Sequence, residues 1–189
     1  PARELITTAL KEGKPVVTAN KELIATRGQQ IAEAARRAGV SVMYEAAVGG
    51  GIPVIRPLAE SLAGEDIDVV SGIVNGTTNY ILSEMARAGI SYEQALLQAQ
   101  DLGYAEADPT DDVTGRDAAA KMAILARLAF DTPVHLDQVP YEGIEHITAD
   151  DMAYADELGL GLKLIGTAER VDGGISVRVH PAFLYGEHP

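Results

Sequence analysis

Four carboxylates crowd one stretch of this sequence, Gly103-Tyr104-Ala105-Glu106-Ala107-Asp108-Pro109-Thr110-Asp111-Asp112, and a fifth, Asp117, precedes Lys121 by four residues. Acids at that density either coat a solvated loop or gather around a cationic group. A calcium loop is the first metal arrangement to test. With Asp108 as its first position, Val113 falls where such a loop needs glycine and Ala119 where it needs a bidentate glutamate, so the pattern fails. The lysine is the better lead. On a helix turning about 100° per residue, with Asp117 at zero, Lys121 lies near 40°, Leu125 near 80°, Leu128 near 20° and Ile124 near 340°. Acid and amine thus share the stripe of large aliphatics, whereas Arg116 and Arg127 fall on the side expected to face water. An i,i+4 ion pair would give the same spacing at little gain in stability. A polar pair on the floor of a cleft is the other reading. Burial lowers the pKa of a lysine and a neighbouring acid raises it, and a lysine held between those effects can give and take a proton.

Two further stretches sit where ligands bind. Thr18-Ala19-Asn20-Lys21-Glu22 follows a short apolar run and opens a helical pattern, and in open α/β sheets ligands gather beyond the carboxyl ends of strands. Val48-Gly49-Gly50-Gly51-Ile52-Pro53 also follows a strand-like run. It lacks the G-x-G-x-x-G phosphate fingerprint, because Val54 stands where the third glycine belongs. A tight turn accounts for its glycines; inward carbonyls together with Glu45 would also suit a hard cation. His135, His146, His180 and His188 lack metal-ligand spacing, and no G-x-S-x-G nucleophile motif occurs.

The elements that must position these residues alternate. Helices are expected over Ala2–Lys11, Glu22–Ala38, Pro53–Leu62, a segment ending at Ala88 and capped by Thr77 or Thr78, Ser91–Asp101, Val113–Phe130, and a segment ending at Leu158 and capped by Thr148 or Asp150. Strands are expected over Pro15–Thr18, Val40–Val48, Ile67–Val74, Val134–Val139, and a hairpin of Leu162–Arg170 and Ile175–His180 around Asp172-Gly173-Gly174. Residues 104 to 112 read as a proline-containing loop. The alternation argues for an α/β or α+β architecture, without internal repeats.

Composition narrows the partners. A net charge of -13 repels nucleic acid and anionic lipid, so neither is an expected partner. The absence of cysteine excludes disulfides, thiolate catalysis and zinc–thiolate sites, and fits a cytoplasmic enzyme. No apolar run reaches membrane-spanning length, and Pro1-Ala2-Arg3-Glu4 leads straight into a helical pattern without signal-peptide character.

Four stretches taken together resemble the homoserine dehydrogenase family: Val16-Val17-Thr18-Ala19-Asn20-Lys21, Tyr44 to Pro53, Gly72-Ile73-Val74-Asn75-Gly76-Thr77-Thr78-Asn79-Tyr80, and Gly103 through Asp117 to Lys121. The resemblance runs along essentially the whole chain. It implies NADPH- or NADH-dependent reduction of aspartate 4-semialdehyde to homoserine, on the route to threonine and methionine. It implies that Lys121 donates the proton, that Glu106, Asp117 and Asp112 engage the substrate's ammonium, and that Thr77 lines the substrate pocket. Thr18, Ala19, Lys21, Gly103 and Glu106 match positions beside the NADP or NAD cofactor, and Glu45 with the carbonyls of Val48, Gly50 and Ile52 matches a sodium site. Residues 1–45 are then expected to be the C-terminal part of a Rossmann-like nucleotide-binding domain, and 46–189 a catalytic and dimerisation domain built on a mixed sheet covered by helices. Family members begin with a glycine-rich strand-turn and continue past the segment ending Glu187-His188-Pro189, so the resemblance implies a truncated piece with weak dinucleotide binding and poor turnover. A homodimer is expected. The alternative is a non-catalytic small-ligand-binding or dimer-scaffold fragment of such an enzyme.

Overall fold

A computed structural model describes residues 2–185; Pro1, Gly186 and the Glu187–Pro189 end, His188 included, lie outside them. The described residues divide into two compact units, one made of 2–70, 120–139 and 168–177, the other of 71–119, 140–167 and 178–185.

The first unit opens with α1 (Ala2–Lys11), β1 (Val16–Val17), α2 (Lys21–Ala38) and β2 (Val42–Met43). β1 and β2 run parallel, with Val16 opposite Val42 and Val17 opposite Met43, so α2 is the crossover of a β-α-β unit. Local chemistry sets its limits. The Asn20 side chain accepts from Leu23 N–H at the start, and Gly39 ends the helix at φ 68°, a conformation that costs a β-carbon residue energy. Ile6 and Leu10 of α1 and Leu23, Ile24, Ile31 and Ala35 of α2 are buried, each set at helical spacing. β2 is shorter than the expected Val40–Val48 strand, because Glu45–Ala47 coil into a 3-10 turn. The helix expected at Pro53–Leu62 is a wide π turn over Pro57–Ser61.

The second unit holds α3 (Gly76–Ala88), α4 (Tyr92–Asp101), the single turn α5 (Thr110–Val113), α7 (Ala149–Glu157) and most of two long strands. β3 (Val69–Gly72), β4 (Leu160–Val171) and β5 (Gly174–Tyr185) form a sheet in that order, β4 and β5 joined by the expected hairpin. Leu162, Leu164, Gly166 and Ala168 of β4 are buried in strict alternation, which gives the sheet one apolar face. Ile81, Leu82 and Met85 of α3, Ala95 and Ala99 of α4 and Met152 of α7 are buried in the same unit. Ser91 and Thr148 cap α4 and α7 through reciprocal capping boxes. These elements bear out the α/β reading.

α6 (Arg116–Phe130) begins in the second unit and continues into the first. Its Ala118, Ala119, Ala120, Met122, Ala123, Ile124, Leu125 and Ala126 are all buried, a helix apolar on nearly every side. Three sequence expectations fail here or nearby. Val134–Val139 is no strand but holds a 3-10 turn at Leu136–Gln138, between Pro133 and Pro140, neither of which has an N–H to give a ladder. Asn75, not Thr77 or Thr78, caps α3. Arg127 does not face water: it is half-buried and donates to the carbonyls of Ala123, Ile24 and Ala25.

Candidate functional site

Two acids of the sequence pattern, Asp112 and Asp117, converge on an asparagine. Asn75 follows β3, where the chain leaves the sheet, and it is buried at 3% exposure. Its Oδ1 accepts from Thr78 N–H and Thr78 Oγ1, both at 2.9 Å, which caps α3 and fixes the amide's orientation. The other end of the amide then points away from the helix. Its Nδ2 donates to Asp112 Oδ1 at 2.6 Å and to Asp117 Oδ2 at 2.9 Å. One side chain therefore holds two carboxylates together, the first on α5 and the second, 4% exposed, in the first turn of α6.

Backbone packing fixes that arrangement. Val113 O accepts from Ile144 N–H at 2.8 Å, and a Cβ on Gly143 would lie 2.0 Å from the same oxygen, so only glycine lets the strands of chain approach. Gly115, at φ 86°, makes the break between α5 and α6 that sets Asp112 and Asp117 at different angles. Asp108, just before α5, accepts from Thr110 N–H and Oγ1, and these bonds hold its carboxyl below the usual aspartate range. Asp111 meets Arg116 at 3.4 Å on the surface.

The remaining positions sort by surroundings. Lys121 stands one turn beyond Asp117 on α6 and is partly buried, as its place on the apolar stripe predicts. Thr77 Oγ1 donates to Tyr104 O at 2.8 Å, and the Tyr80 and Tyr104 rings lie 4.7 Å apart, so α3 pins the turn that carries Gly103 at φ 78°. Glu106 is exposed, and its carbonyl accepts from Gln100 Nε2 at 3.1 Å. In the first unit, Thr18, Ala19, Asn20 and Lys21 form the turn beyond the carboxyl end of β1, with Ala19 exposed and Thr18 and Lys21 partly so. Glu45 gathers three backbone donors: Oε1 accepts from Val54 and Ile55 N–H at 2.7 and 3.0 Å, Oε2 from Arg56 N–H at 2.9 Å. The loop between turns back at Gly49 (φ 80°) and Gly50 (φ 58°), and a Cβ on Gly49 would come within 2.9 Å of Ile52 O. Among the described residues, no group of three or more His, Cys, Asp or Glu side chains is placed to hold a metal ion.

Asn75 falls between the strand expected to end at Val74 and the helix expected to be capped by Thr77 or Thr78, although an asparagine ending a strand before Gly76 is itself a capping signal. Nothing in the spacing tells that its amide reaches forward to Asp112 and Asp117, because that contact spans distant parts of the chain.

A parallel β-α-β start with an open turn past its first strand is an α/β layout in which ligands gather beyond the carboxyl ends of strands. The comparisons agree: residues 53–189 match the family model described as homoserine dehydrogenase, and residues 1–45 match that of the homoserine dehydrogenase NAD binding domain. The chain belongs to the homoserine dehydrogenase family. A homoserine dehydrogenase of Mycobacterium tuberculosis is 54% identical over 194 residues, covering 100% of this chain and 44% of that protein. The crystal structure of a homoserine dehydrogenase from Thiobacillus denitrificans superposes with a TM-score of 0.97 at 49% identity, over 100% of this chain and 44% of its own. A hyperthermophilic archaeal homoserine dehydrogenase in complex with NADPH gives a TM-score of 0.84 at 29% identity, over 100% of this chain and 54% of its own. The chain thus spans under half the length of the curated relatives it matches. Among the described residues, no helix is long and apolar enough to cross a membrane.

Proposed function

We propose that this chain forms part of a cytoplasmic NAD(P)-dependent homoserine dehydrogenase that interconverts aspartate 4-semialdehyde and homoserine. The observation that carries the reading is the pair of carboxylates, Asp112 and Asp117, tied by the Asn75 amide, with Asp117 one helical turn before Lys121 on α6. A substrate with an ammonium and a carbonyl needs an acid pair for the first and a proton source for the second.

Asp117, Asp112 and Glu106 are the acids assigned to the ammonium, and Thr77, whose hydroxyl donates to Tyr104 O, is assigned to the substrate side of the same unit. Lys121 Nζ holds a proton toward the carbonyl oxygen, where negative charge grows as the carbon is reduced. When bound, NADPH or NADH supplies the hydride. The turn Thr18–Lys21, beyond β1, would hold its nicotinamide end, and the open end of the β-α-β unit fits that group, while Gly103 and Glu106 are assigned to the cofactor by the family resemblance alone. A sodium ion fits the Val48, Gly50 and Ile52 carbonyls with Glu45: three N–H groups leave this carboxylate acceptor capacity and its charge. Residues 1–45 serve as nucleotide-binding part and 46–189 as catalytic part of a homodimer, and the exposed Phe183 and Tyr185 at the end of β5 support a subunit contact on the sheet.

The test is Lys121→Ala in the full-length enzyme, assayed by NADPH oxidation with aspartate semialdehyde. Loss of a positioned proton donor lowers kcat by roughly 100- to 10,000-fold while the circular dichroism spectrum is retained. Unchanged kcat removes Lys121 from the chemistry.

A further inference from the structure

α2 contains a glycine well inside its length, Gly28, at ordinary helical φ and with no turn to make. Glycine there is disfavoured relative to alanine, so its presence asks for a local cause. The cause is on the opposite helix. A Cβ on Gly28 would lie 2.7 Å from Arg127 Nη1, so the missing methyl is the space in which the guanidinium lies. From there Arg127 Nη2 donates to Ile24 O at 2.6 Å and Ala25 O at 3.1 Å, while Nε donates to Ala123 O on its own helix at 3.1 Å. Burial pulls this guanidinium below its usual pKa, and the bonds to carbonyls are those of a planar fork that a lysine cannot reproduce.

The two ends of this contact lead to the two halves of the proposed chemistry. Ile24 and Ala25 follow Lys21 within the first turns of α2, the helix that opens from the Thr18–Lys21 turn. Arg127 follows Lys121 by six residues on α6, about 9 Å along its axis. All of these residues belong to the first compact unit. We propose that Arg127, seated over Gly28, is a positioning residue: it straps α6 to the start of α2 and so sets the distance between Lys121 and the cofactor-side turn. The proposal rests on the functional reading above and assigns Arg127 no contact with substrate or cofactor. The guanidinium borders a cavity of about 550 Å³ lined also by Ile31, Ala35 and Tyr44, so a methyl at Gly28 has somewhere to push it without breaking the core.

The experiment uses the full-length enzyme with Arg127→Met, Arg127→Lys and Gly28→Ala. A misplacement of the order of an ångström lowers turnover by about 10- to 100-fold, so Arg127→Met and Gly28→Ala are each expected to lower kcat by that factor. The KM values for NADPH and aspartate semialdehyde stay within about threefold, since no binding group is removed. The primary isotope effect with deuterated NADPH rises, because the transfer step becomes slower relative to product release. Arg127→Lys recovers part of the loss. Gly28→Ala separates positioning from stability: its unfolding midpoint stays equal or rises, because alanine favours the helix, while its turnover falls. A Gly28→Ala enzyme with parental kcat and isotope effect, or losses that merely follow the unfolding midpoint, overturns the strap. A parent enzyme that does not oxidise NADPH with the semialdehyde overturns the functional reading, and the strap with it; an active parent with unaffected variants overturns the strap alone.

Discussion

Replacing the Asn75 amide by a carboxyl group tests the geometry of the acid cluster with a change of one atom. In Asn75→Asp the oxygen that caps Thr78 N–H is kept, and the nitrogen that donates to Asp112 and Asp117 becomes an acceptor. Contacts of 2.6 and 2.9 Å that were attractive now oppose carboxylate to carboxylate. The site's cheapest escape is to take up a proton, which restores one of the two bonds. The minimum loss is then one hydrogen bond to a charged group, about 1.5–3 kcal/mol. The proton adds a pH dependence. The folded-state pKa of the introduced group is raised above its unfolded value of about 3.9, so folding takes up a proton and the loss grows by about 1.4 kcal/mol per pH unit until the raised pKa is reached. A folded pKa near 6 would make the total about 4–6 kcal/mol at neutral pH, or roughly 8–24 °C in melting temperature for a protein of this size. Thermal unfolding by circular dichroism at pH 4.5 and 7.5 measures it, with Asn75→Ala as a control that removes the donors without adding an acid. The variant–parent gap is expected to widen markedly with pH for Asn75→Asp and much less for Asn75→Ala. A gap for Asn75→Asp that is small, or the same at both pH values, would show that the three side chains do not meet as described.

Two further outcomes follow from the same unit. Gly143→Ala places a methyl 2.0 Å from Val113 O and 2.6 Å from Thr114 Cα, and a backbone collision of that depth is expected to cost about 3 kcal/mol or more; a urea midpoint matching that of Gly161→Ala, whose Cβ meets nothing within 4 Å, would refute it. Asp151 is held below its usual pKa by the Thr148 hydroxyl and N–H, so its contribution to the α7 cap is intact above pH 3.8 and is lost as the pH falls through the depressed folded value. Carbon-detected carboxyl titration should place the Asp151 midpoint below 3.8 and return it toward that value in Thr148→Ala; an unmoved midpoint would remove the cap as the cause.

The parts of this fold that rest on local chemistry were legible in the sequence. Asn20–Gly39 around α2, Ser91 and Thr148 before their helices, and the Asp172-Gly173 hairpin all announce themselves through caps and turns within a few residues. The alternation in β4 and the placing of Asp117 and Lys121 on the apolar stripe follow from period alone. What failed depended on partners far along the chain. Arg127 reads as a water-facing residue by its angle on α6, and only the carbonyls of Ile24 and Ala25, about a hundred positions earlier, give its charge a reason to be buried. Val134 and Val139 look like strand residues, but they are buried side chains on either side of a 3-10 turn. Asn75 looks like a turn residue because its forward contacts to Asp112 and Asp117 leave no trace in spacing.

Asn79 carries a different lesson. Its side-chain amide accepts from Leu164 N–H at 3.0 Å and donates to Leu164 O at 3.2 Å, imitating a neighbouring β-strand, and its Nδ2 also donates to Asn75 O at 3.0 Å. A helix that lies on a sheet through apolar side chains alone can slide by a methyl group at modest cost; one that has borrowed a rung of the ladder cannot. Chimaeras that exchange the β4–β5 hairpin with that of a relative must therefore keep the phase of Leu164. A one-residue frameshift there would turn the peptide group away from Asn79 and detune the Asn75 cap from a distance, with no acid of the cluster altered.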